Sequence, residues 1–171
     1  MSLCGVLLAL SVLCMLLGSV LETNTLFLLA AAAFFVGIIY REFGKHWAAA
    51  FWLAGVLLGA VLSPEKFYVL TYGCMGLYLL LIEWCWEFLG PKTISERKKR
   101  NVFIGMKYLI FNLMFLPVLF LFQKLLFTKT LTGVMLLGIV LAGQAGLFLY
   151  DRAYEYVQRC LWGKIRKYIN E

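Results

Sequence analysis

Residues 81–90 read LIEWCWEFLG. The stretch closes an apolar run and sets two carboxylates, Glu83 and Glu87, one helical turn apart among tryptophans and leucines. Ionisable groups inside a membrane are rare, and they pair or face a polar cavity. The question the stretch raises is which cation meets these acids, and the answer orders neighbouring helices in depth.

The solvent around the stretch follows from composition. Of 171 residues, 63% are hydrophobic, and the mean hydropathy is +0.87. Soluble domains are nearer half apolar, and a soluble fold of this length cannot hide so much apolar surface. Lipid is therefore expected to surround most of the chain. A helix needs roughly 20 mainly apolar residues to cross about 30 Å of hydrocarbon. Apolar runs fall at 3–21, 26–40, 47–62, 67–87, 102–123 and 131–150. The expectation is an all-α, polytopic six-helix transmembrane bundle over 1–150, followed by a cytoplasmic amphipathic helix over 151–171. The run at 26–40 is the shortest. Residues 3–21 lack the basic leader of a secretory signal and read as a retained first span.

Charge sets the expected orientation. Short loops rich in Lys and Arg stay cytoplasmic. With six spans, one side carries Arg41 and Lys45, the group Lys92, Arg97, Lys98, Lys99 and Arg100, and the tail residues Arg152, Arg159, Lys164, Arg166 and Lys167. The other side carries Lys66, Lys124 and Lys129, and Lys107 lies inside the fifth span. Both termini are expected in the cytoplasm of a multi-pass plasma-membrane protein. The net charge of +7 then reflects topology and contact with anionic lipid, and no nucleic-acid partner is expected.

The connections carry turn chemistry. Asn24 or Thr25 is placed to cap the second helix, and Ser63-Pro64-Glu65 suits the start of the fourth. The string GPKTISERKKRN at 90–101 combines Gly-Pro with a charge run and reads as a loop dividing four spans from two. In the tail, Ala153, Val157, Cys160, Leu161, Ile165, Tyr168 and Ile169 recur at helical spacing against a charged face, the pattern of a helix lying along the inner leaflet.

Depth then suggests a partner for Glu83. It lies one turn, about 6 Å, deeper than Glu87, which reaches water and the basic loop at the level of Trp84 and Trp86. Lys107 is five residues, about 7–8 Å, into the next span. A Glu83–Lys107 ion pair is expected, with Gln144 at similar depth able to join it. Deeper still, Asn112 precedes Pro117, whose missing N–H frees the carbonyl of Leu113. Asn112 facing Thr71, Tyr72 or Tyr78 is the candidate ligand site.

Catalytic chemistry is sparse. The chain has one histidine, His46, and none of the five cysteines stands in a C-x-x-C pair. Neither a metal site nor a nucleotide fingerprint is legible. The expectation is a protein that is not an enzyme, holds no metal and uses no cofactor. Small residues are more informative, because they let membrane helices approach closely. Gly5 and Ala9 stand four apart in the first span, on a face that could dock a separate partner. Ala50, Ala54, Gly55 and Gly59 form a second stripe.

The stretches GVLLALSVLCMLLGSVLETNTLFLLAAAAFFVGIIYREFG, SPEKFYVLTYGCMGLY and KYLIFN resemble a group of six-span membrane proteins of Firmicutes. That group is similar to the S components, the substrate-binding subunits of energy-coupling factor transporters. The resemblance implies a helical bundle that binds a small nutrient such as a vitamin. It also implies work alongside a transmembrane coupling subunit and cytoplasmic ATPases, with docking through the face that Gly5 and Ala9 occupy here. Leu13, next in that stripe, is large, and the connection Leu21 to Thr25 is shorter than the S-component lid. The other expectation is a non-transport membrane scaffold similar to the rod-shape protein MreD. A pocket holding Thr71, Tyr72 or Asn112 marks the first; a solidly packed bundle marks the second.

Overall fold

The short second run becomes the most enclosed helix of its neighbourhood. In the computed structural model, which describes residues 2–21, 24–63, 66–90, 96–121 and 133–162, α2 (Thr25–Phe43) packs against α1 (Ser2–Val20), α3 (Lys45–Leu62) and α4 (Lys66–Leu89). Small residues let three neighbours approach at once: Ala32 and Ala33 are fully buried beside Val36 and Ile39. A helix screened by others need not match the lipid thickness with its own apolar length, and this accounts for a run that ends at Tyr40-Arg41-Glu42. With α5 (Glu96–Leu121) and α6 (Gly133–Tyr156), the described residues form six α-helices and no strand. The expected all-α fold is the one observed, and α1 to α5 each have the length and apolarity to cross a membrane. The protein is a multi-pass α-helical membrane protein. The sixth helix, α6, has 24 residues, as does α4.

The chain divides into two compact units, Met1–Lys92 and Thr93–Glu171. The division falls inside the Gly-Pro and charge-rich string. In the first unit, Leu7, Ser11 and Met15 of α1, the α2 core, Gly55 and Gly59 of α3, and Val69, Tyr72 and Leu79 of α4 are buried. Close approach of α3 and α4 depends on glycine. A Cβ at Gly76 would lie 2.6 Å from Trp52 Cδ1, and one at Gly55 would collide with the Tyr72 hydroxyl. The Trp52 indole N–H is spent on the Gly73 carbonyl at 3.0 Å. Of the expected α3 stripe, Gly55 and Gly59 pack inward while Ala50 is exposed.

Residues at the turns satisfy the ends of the preceding helices, while Pro64 and Glu65 of the expected start of α4 lie outside the described residues. Asn24 makes no side-chain cap on α2. Thr25 Oγ1 instead donates back to the carbonyls of Gly18 at 2.9 Å and Leu21 at 3.2 Å, closing the end of α1. Ser63 is the C-cap of α3, its N–H bonding the Gly59 carbonyl. Lys66 Nζ donates to the Ala60 carbonyl at 2.6 Å. Orphan carbonyls at helix ends need donors, and these residues supply them. A single residue, Gly44, joins α2 to α3 with φ 88° and ψ 176°, a conformation essentially restricted to glycine.

In the second unit, α5 begins at Glu96, so residues 96–101, expected in the loop, are helical. Glu, Arg and Lys are good helix formers. α6 runs without a break past residue 150 and ends in a π-helical turn, Val157–Trp162. Leu147 and Tyr154 of α6 and Gln158 of the π-helical turn are buried, whereas Ala153, expected on the apolar face, is exposed. The remaining tail positions, Ile165, Tyr168 and Ile169 among them, lie outside the described residues.

Candidate functional site

Glu83 and Lys107, expected to pair, stand in different units, and each has a partner inside its own. Arg41, at the C-terminal end of α2, donates from Nε and Nη2 to Glu83 Oε1 at 2.9 and 2.6 Å. One position back, the Tyr40 hydroxyl donates to Glu87 Oε2 at 2.6 Å. Adjacent residues on α2 thus hold acids four apart on α4. The physical reason is packing: α4 lies against α2, and a guanidinium matches a carboxylate better than a point charge does. The Glu83 side chain is 7% exposed and that of Arg41 is 46% exposed. One partner is buried and the other reaches out.

Lys107 is matched on α6. Its Nζ lies 2.7 and 2.8 Å from the Asp151 carboxylate oxygens, 3.6 Å from Glu155 Oε1 and 4.5 Å from the Phe103 ring centroid. Asp151 and Glu155, four apart, meet one cation, with the aromatic face adding a cation–π contact. Gln144, expected beside Glu83 and Lys107, donates from Nε2 to Asn112 Oδ1 at 2.7 Å. Asn112 in turn donates to the Tyr108 carbonyl at 2.8 Å. The Gln144 Oε1 is buried and accepts no hydrogen bond among the described residues. Phe115 sits where a Cβ on Gly143 would come within 2.9 Å, so one helix turn carries both the polar and the aromatic contact.

The ligand-site residues divide between the units. Thr71, Tyr72 and Tyr78 stand on α4, and Asn112 stands on α5. Thr71 Oγ1 donates to the Phe67 carbonyl of its own helix at 2.8 Å. Tyr72 is fully buried, with its hydroxyl 3.5 Å from Ser11 Oγ and directly over Gly55. Ser11 Oγ also donates to the Ala32 carbonyl at 3.3 Å. Tyr78 is buried. In the four-helix unit Ser11 thus links α1 to both α2 and α4.

The partner-docking candidates on α1 are open. Gly5 and Ala9 are exposed, and a Cβ at Gly5 would meet nothing within 4 Å. Val6, Leu10, Leu13 and Leu17 surround them, also exposed.

Tyr40, Arg41, Asp151 and Glu155 were not singled out from sequence as partners for the buried ions. A signal existed. Tyr40-Arg41 closes α2 at the level where Glu83 and Glu87 close α4, and Asp151 and Glu155 share the four-residue spacing of that acid pair. Arg41 also reads as a loop charge, which masks its place opposite Glu83.

Comparison with protein-family profiles, curated proteins and solved structures finds no match to this chain.

Proposed function

We propose that this protein is a non-enzymatic membrane scaffold, similar in kind to MreD, that assembles with a second membrane protein through the open face of α1. The observation that supports this reading is the contrast on α1. Ser11 and Met15 are sunk into the four-helix unit, while Gly5 and Ala9 stand exposed with space above them. Exposed small residues admit another helix at short range, and in lipid such contacts rest on close packing. Tyr72 fits the same reading, because its hydroxyl is used between helices. The protein sits in the plasma membrane with both termini in the cytoplasm, as the Lys and Arg distribution favours.

A second reading, an S-component-like substrate-binding subunit, is favoured by one observation: the Asn112–Gln144 pair keeps a buried acceptor, Gln144 Oε1. A small nutrient with a donor group satisfies it. Work with a coupling subunit and cytoplasmic ATPases follows from that reading.

Purification of the tagged full-length protein in mild detergent separates the two. Under the scaffold reading a defined membrane partner is retained without transporter ATPases, and Gly5→Leu with Ala9→Leu releases it. Under the second reading a coupling subunit and ATPases co-purify, and a vitamin raises the melting temperature in the wild type but not in Gln144→Leu. Retention of the same partner by the Gly5/Ala9 variant sinks docking through α1.

A further inference from the structure

We infer that the face of α5 turned away from Lys107 is a binding site for one anionic phospholipid of the leaflet at the N-terminal end of that helix. Lys98, Val102, Gly105, Leu109 and Leu113 recur at spacings of four, three, four and four, which is one helix face. Every one of them is exposed, with Val102 at 48%, Leu109 at 65% and Leu113 at 71%. Away from this stripe, Lys107 and Ile110 are buried. A Cβ on Gly105 would meet nothing within 4 Å, so the stripe carries a shallow notch between Val102 and Leu109.

The dimensions suit a lipid. Val102 to Leu113 rises about 16 Å, half of a hydrocarbon core about 30 Å thick and hence one leaflet's acyl chain. Lys98 lies one turn, about 6 Å, beyond Val102. Headgroup layers are about 5–8 Å deep on each side, which sets the Lys98 ammonium at phosphate depth. Arg97 stands beside it and is also exposed.

Charge selects an anionic headgroup. The α6 acids Asp151 and Glu155 are both turned to Lys107, so they do not neutralise Arg97 and Lys98. Cations at a helix N-terminus also oppose the helix dipole, and a phosphate relieves both repulsions. Basic side chains near a surface attract anionic lipid; here the apolar stripe below them adds a place for the chain.

The test titrates the full-length protein in mild detergent with phosphatidylglycerol or phosphatidylcholine and counts bound lipid by native mass spectrometry. Phosphatidylglycerol is expected to bind in preference. Each of Arg97→Gln and Lys98→Gln lowers that affinity about fivefold, Lys98→Arg retains it, and Lys45→Gln, the same charge loss at an exposed site on α3, leaves it unchanged. Helix content by circular dichroism and elution volume confirm folding. If one of these two variants does not fold, the other carries the comparison. Equal binding of the two lipids, an equal loss in Lys45→Gln, or efficient disulfide dimers of Gly105→Cys, which would put a second copy on this face, overturns the inference.

Discussion

Arg41 and Glu83 show how unequal the two ends of one ion pair are. Glu83 is buried, whereas nearly half of the Arg41 side chain is exposed. Removing the guanidinium strands a buried carboxylate, and removing the carboxylate leaves an arginine able to extend toward headgroups or water. Arg41→Ala is therefore expected to destabilise the protein by about 2–3 kcal/mol, and Glu83→Gln by about 1 kcal/mol. Thermal unfolding in one detergent measures both, and equal effects would show that the pair is not asymmetric in the way its burial indicates. That Glu83 needs a cation at its own depth was legible in LIEWCWEFLG. Which cation was not, because both Arg41 and Lys107 lie near that level in their helices. Depth ranks candidates, and the contact of α4 with α2 brings Arg41 to Glu83. Thr71 and Tyr72 illustrate the same limit: a hydroxyl in a span looks the same in sequence whether it lines a pocket or, like Tyr72, closes a helix contact.

At the scale of elements, glycine decides how closely α3 and α4 approach. A methyl group at Gly76 meets the Trp52 ring at 2.6 Å from Cδ1, and displacing the indole also threatens its bond to the Gly73 carbonyl. Gly76→Ala is expected to cost about 1–3 kcal/mol by overpacking. Gly105→Ala, with nothing near its Cβ, is expected to stabilise α5 slightly through helix propensity. Opposite signs in a melting series check this, and a neutral Gly76→Ala would mean that Trp52 moves aside freely. Helix positions were legible because lipid thickness imposes length on apolar runs. The ends were less so: α5 starts inside the charge run because its residues favour helix, and Thr25, Ser63 and Lys66 serve the carbonyls of the preceding helix. The rotation of α6 beyond residue 150 was not legible either, since contacts between helices decide it: Lys107 meets Asp151, and Tyr154 and Gln158 are buried while Ala153 is exposed.

At the scale of the whole molecule, the ionic contacts described at the helix ends are settled unit by unit. Tyr40–Glu87 and Arg41–Glu83 both lie within Met1–Lys92, and Lys107–Asp151–Glu155 lies within Thr93–Glu171. The division was visible in the Gly90-Pro91 string, while the partners that Arg41 supplies in one unit and Asp151 and Glu155 in the other were not. A chain ending at Lys92 keeps Arg41 beside Glu83, Tyr40 beside Glu87 and the packed α2 core, so it should insert and fold without the rest. Expressed with a reporter fused after residue 92, this fragment is expected to fractionate with membranes, resist trypsin in mild detergent, and report a cytoplasmic C-terminus, since four spans return the chain to its starting side. In that fragment Arg41→Ala should lose as much stability as in the full chain. A fragment that is degraded, or one whose reporter lies outside, would mean that the four-helix unit depends on α5 and α6 for insertion or that the charge distribution does not set its direction.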